Sequence, residues 1–116
     1  MNFNTSVDQP VSQELVINYL KSLVNRFFKI LPIRENEEGS LQPYLKSLLN
    51  ELIGCTNLIT ELGNNPMIMT LMSTLQFLID NPNCSLKQLR RHVFDSISII
   101  NKIIAIYTEQ TQENSK

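Results

Sequence analysis

Apolar residues recur along this chain at three- and four-residue steps in four successive stretches, each separated from the next by a short break rich in Pro, Gly, Asn or Glu. That period is the one at which helices turn an apolar face to a shared core. The first stretch covers residues 10–31. Pro10 suits an opening helical turn and Pro32 is placed to stop the helix. Val16, Leu20, Leu23, Phe27 and Ile30 fall on one side, while Asn18, Lys21, Ser22, Asn25 and Lys29 fall on the other.

A second stretch follows the loop at 32–39, with Ser40 as its expected N-cap and Pro43 tolerable in the first turn. Leu41, Leu45, Leu48, Leu52, Cys55, Ile59 and Leu62 give it a heptad seam, the spacing of helices packed at about 20° to one another. Gly54 costs this helix about 1 kcal/mol of propensity and is read as a close helix crossing. Gly63-Asn64-Asn65-Pro66 combines an expected left-handed stop, an N-cap and a proline at the next helix's first position. The third stretch, 66–80, carries no charge before Asp80, which marks either the most buried helix or part of an interface. Ser85-Leu86-Lys87-Gln88 then matches a capping box and opens a fourth stretch reaching about residue 109.

Short breaks between long helices favour antiparallel neighbours, so the expected fold is all-α, a compact up-down-up-down four-helix bundle. The expected organisation is one domain over 10–109, with flexible ends at 1–9 and 110–116. A length of 116 residues with 42% hydrophobic and 18% charged residues is enough for one core and too poor in charge for a disordered chain.

Charge removes several classes of function. Ten Lys and Arg against eleven Asp and Glu leave a net charge of −1, so no global field draws in a nucleic acid or an anionic membrane. No stretch is apolar for the length of a membrane span, and the opening residues lack the layout of a signal peptide, so the expected location is cytoplasmic. Cys55 and Cys84 do not form a Cys-x-x-Cys, and Cys55 reads as core filler.

Catalytic chemistry finds little to work with. His92 is the single histidine, and there is no phosphate-binding glycine loop, nucleophile elbow, His-Glu-x-x-His or calcium loop. Glu51 and Glu61 lie on the polar flank of their helix, without the Glu-x-x-His of a di-metal bundle. The reading is therefore a non-enzyme, with no cofactor, no metal and no small-molecule substrate.

Two features point toward partners. Lys87, Arg90, Arg91 and His92 cluster in the first turns of the fourth helix, where the dipole disfavours cations; Arg90 is expected to reach a carboxylate such as Asp80 or Glu51. The acidic loop Glu35, Glu37 and Glu38 is a solvated connection or a dock for a basic partner. Residues 71–79, 85–93 and 96–107 also follow one another as an apolar helix, a positioning helix and a Ser-rich helix. In this they resemble the helix-turn-helix of winged-helix transcription regulators, and the resemblance implies DNA contact through Ser96, Ser98, Asn101 and Lys102. That alternative requires a turn at Phe94-Asp95.

If the fourth helix is instead continuous, Leu89, Val93, Ile97, Ile100, Ile104 and Tyr107 form its core seam, and Ile99, Ile103 and Ile106 form a second apolar stripe. A helix with two stripes has two partners. The expected function is a small helical interaction protein, an adaptor or a regulator or inhibitor of a larger protein. Ile99, Ile103, Ile106 and Phe77 would meet a protein partner or a second copy, with Lys87, Arg91 and His92 as a polar rim.

Overall fold

Proline placement decides where the first helix breaks. In the computed structural model, which describes residues 13–36 and 40–114, α1 spans Gln13–Phe28 and a short α2 spans Ile30–Asn36. Pro32 does not stop the helix but sits in the first turn of α2. Having no N–H, it cannot bond the Phe28 carbonyl four residues back, and the chain kinks at Lys29 between them. The ladder is kept on either side, with Lys29 N–H donating to the Asn25 carbonyl and Ile33 N–H to the Lys29 carbonyl, both at 3.2 Å. Pro10, the ends 1–9 and 115–116, and Glu37 and Glu38 of the acidic loop lie outside the described residues, whereas Glu35 is exposed.

The second stretch is also divided. α3 spans Leu41–Leu58 and α4 spans Thr60–Gly63, with Ile59 extended between them at φ −114° and ψ 98°. Ile59 and Thr60 are both β-branched and resist helix more than their neighbours. The break still leaves Leu62 fully buried. Ser40 lies in helical conformation and its side chain does not cap the helix; its carbonyl accepts from Tyr44 N–H instead.

Both glycine expectations are corrected. A Cβ on Gly54 would meet nothing within 4 Å, so no helix crosses closely there. Gly63 is not left-handed. It is required because a Cβ would lie 2.9 Å from the Thr56 carbonyl oxygen, closer than a real side chain tolerates. α5, Pro66–Asp80, begins as its sequence dictates, with the Asn65 side chain accepting from Met67 N–H at 2.8 Å and proline at the first position. α6, Leu86–Asn114, opens with the capping box: Gln88 N–H donates to the Ser85 hydroxyl at 3.1 Å and Ser85 N–H to the Gln88 side-chain oxygen at 3.4 Å.

The fold is all-α, a helical bundle built on the long helices α1, α3, α5 and α6, with principal extents of 52 × 30 × 22 Å. α6 packs along α1, α5 packs against both α3 and α6, and α2 lies across one end against α3 and α6. Gln42 at the start of α3 reaches the carbonyls of Leu78 and Ile79 at the end of α5, Phe77 near that end lies against His92 near the start of α6, and Arg26 near the end of α1 reaches Glu51 in the middle of α3. These contacts are consistent with an up-down-up-down order. Leu20 and Leu23 of α1, Leu45 and Leu52 of α3, Leu71 and Leu75 of α5, and Leu89 and Ile100 of α6 fill the core. Among the described residues no helix is long and apolar enough to cross a membrane.

Candidate functional site

α6 runs unbroken through Phe94 and Asp95, so no turn divides it into the two helices that a helix-turn-helix needs. Ser96, which that arrangement would turn toward a DNA groove, is 1% exposed. The buried face of α6 runs through Leu89, Val93, Ser96, Ile100, Ile103 and Tyr107, a regular alternation of four- and three-residue steps. Ile103 is therefore core and unavailable to a partner in the folded chain, which corrects its place in the second stripe. Ile104, expected in the seam, is only half-buried at its edge.

The stripe that α6 carries beside its core face has a different register. His92 faces α5, its ring 5.1 Å from that of Phe77 and tilted by 48°. Seven residues make nearly two whole helical turns, so Ile99 and Ile106 fall on the flank of His92, spaced by about 10 Å each. His92 and Ile99 are half-buried, whereas Ile106 is 41% and Phe77 42% exposed. Lys87 and Arg91 are exposed on the outward side of the same turns. Phe77, His92 and Ile99 thus border one seam, between α5 and α6, with the two cations near its Phe77 end and Ile106 farther along the same flank of α6, about 20 Å from His92.

α5 supplies the other wall. Its exposed residues from Met69 to Phe77, namely Met69, Thr70, Ser73, Gln76 and Phe77, carry no charge, and the helix's one charge is the exposed Asp80 at its end, which accepts from Gln76 at 3.0 Å. Thr70 lies seven residues from Phe77, on the same flank. The end of α5 is held by two side chains that satisfy three of its last carbonyls. Gln42 donates to Leu78 and Ile79 at 3.2 and 2.6 Å, and Asn81 donates to Phe77 at 2.8 Å.

The Arg90 expectation is corrected as well. Arg90 is exposed, and the ion-pair partner of Glu51 is Arg26 of α1. A second feature that periodicity did not announce is the polar set between α1 and α3. Tyr44 donates to the Arg26 carbonyl at 2.8 Å, and Tyr19 stands beside Cys55. Burial pushes the Tyr19 hydroxyl up from 10 to about 12, the neighbouring Cys55 thiol adding to the rise. Burial also raises Cys55 and Tyr44 above their usual values. The one sequence signal for this set was polar residues at the margin of an apolar stripe, which most helices have.

Among the described residues no three His, Cys, Asp or Glu side chains converge to hold a metal ion. No protein-family model, curated protein or solved structure matches the chain.

Proposed function

We propose that this chain is a non-enzymatic helical interaction protein, an adaptor or a regulator of a larger protein, and that it receives a protein partner along the α5–α6 seam. The observation that carries the proposal is that exposed Phe77 and Ile106 lie beside an α5 surface that is uncharged from Met69 to Phe77. Covering such a face removes apolar surface from water without stripping the hydration from a charge, the costly step in forming an interface. His92 holds the Phe77 ring in place, and Lys87 and Arg91 supply a charged margin that suits an acidic rim on the partner. A location in the cytoplasm fits this reading.

The test separates core from contact surface. Ile106→Glu and Phe77→Glu are expected to keep the helical circular dichroism and cooperative melting of the parent chain, whereas Ile103→Glu, which buries an unpaired charge, is expected to unfold it. A photo-crosslinking side chain placed at Phe77 should then trap a second copy or a single defined protein, and Ile106→Glu should suppress that product. Crosslinking no stronger at Phe77 than at exposed Asn50 on α3 would refute the proposal.

A further inference from the structure

The seams of the bundle differ in width. Helix backbones approach closely between α1 and α6, between α3 and α5, and between α5 and α6, yet among the described residues no Cα atom of α1 lies within 8 Å of one in α3. Side chains span that gap. Arg26 pairs with Glu51, Tyr44 donates to the Arg26 carbonyl, and Tyr19 stands beside Cys55. A solvent-open cleft of about 210 Å³ lies among them, lined by Arg26, Lys29, Tyr44 and Glu51. The Tyr19 hydroxyl itself is buried with only the Cys55 thiol, a weak hydrogen-bonding group, beside it, an arrangement that opposes closure because water would satisfy it better.

The two ends of this seam also differ. At one, α2 packs on α3 and α6 and closes the bundle, with Arg34 donating to the Cys84 carbonyl at 2.7 Å. At the other, Leu15 of α1 and Leu58 of α3 are 61% and 82% exposed.

We infer that the bundle opens along the α1–α3 seam, α1 moving with α6 and α3 with α5, with the α5–α6 contact as hinge and Arg26, Glu51 and Tyr44 as the latch. Opening exchanges an exposed ion pair and one hydrogen bond for hydration and brings water to Tyr19. The apolar sides of α1 and α3 around Leu23, Phe27, Leu48 and Leu52 become accessible. This device uses the α5–α6 contact only as its hinge and does not rest on a partner being received there.

Cys55, half-buried on the α3 side of the seam, reports the motion. In a Cys84→Ser background, combining Glu51→Gln with Tyr44→Phe should raise the rate of Cys55 alkylation by iodoacetamide roughly three- to tenfold. A control thiol placed by Thr74→Cys on α5, in a chain lacking both natural cysteines, should keep its rate in the same latch variant. Unchanged alkylation of Cys55 would overturn the inference, and so would equal acceleration at both thiols, which signals global unfolding. Should the latch variant fail to fold, raising the salt concentration on the single-thiol chains replaces it. Screening Arg26–Glu51 should speed Cys55 alone, and a salt-independent rate would overturn the inference equally.

Discussion

α1 takes part in two seams of opposite character. Toward α6 it offers a close-packed apolar side with Val16, Leu20, Leu23 and Phe27 fully buried, and at the margin of that seam Phe28 meets Phe94 edge-on with ring centroids 5.9 Å apart. Toward α3 it offers Tyr19 and Arg26, answered by Tyr44, Glu51 and Cys55. Long polar side chains at flank positions keep two helices apart, because each must keep its head in water or beside a partner while its stem covers apolar surface. Helix spacing in this bundle therefore follows the residues beside the stripe as much as those within it. The same helix packs tightly on one side and loosely on the other.

If that contrast is right, the costliest change to α1 lies on the close-packed face. Leu20→Ala is expected to lower unfolding free energy in urea by about 2–5 kcal/mol, the range for a fully buried leucine whose surroundings cannot collapse. A cost below about 1 kcal/mol would erase the distinction between the seams.

Tyr19→Phe should have the opposite sign, raising stability by up to about 1 kcal/mol through loss of a buried hydroxyl whose one neighbouring partner is the weakly bonding Cys55 thiol. The same variant changes the alkaline behaviour. The folded-state pKa of Tyr19 is raised from 10 to about 12, so the neutral form is favoured by folding. Its contribution is complete below pH 10 and is lost as pH climbs from 10 through 12. Thermal melts taken between pH 9 and 12 should fall more steeply for the parent chain than for Tyr19→Phe. Parallel curves would show that the hydroxyl is hydrated in the folded protein.

The smallest effect is expected at the latch itself. Arg26 and Glu51 are 39% and 42% exposed, so a double-mutant cycle with Arg26→Gln and Glu51→Gln should return at most about 1 kcal/mol, declining with added salt. A larger, salt-insensitive coupling would mean the pair is desolvated and the seam closed.

Helix positions were legible because their signals are local. The capping box at Ser85 and the cap and proline at Asn65 and Pro66 each act within one turn, and each forms as the sequence implies. Legibility ended where two helices had to be considered together. Ile99, Ile103 and Ile106 are chemically alike and one helical stripe can hold all of them, yet Ile103 is in the core while Ile106 is exposed. Choosing between them needs the direction from which α5 and α1 approach, which apolar spacing within α6 leaves open. Gly54 was misread for the same reason: a missing side chain signals a close neighbour only when a neighbour is there.

By itself the amino-acid sequence determined that this is an all-α chain whose four apolar stretches are separated by proline- and glycine-bearing breaks, since backbone hydrogen bonding, caps and helical periodicity are settled within a few residues. The tertiary structure alone decided that Pro32 begins a second short helix, that α6 passes Phe94 without a turn, that Glu51 pairs with Arg26, and that α1 and α3 stand apart. Those outcomes depend on how bulky flank residues from different helices share the space between axes, and that quantity exists only once the helices are assembled.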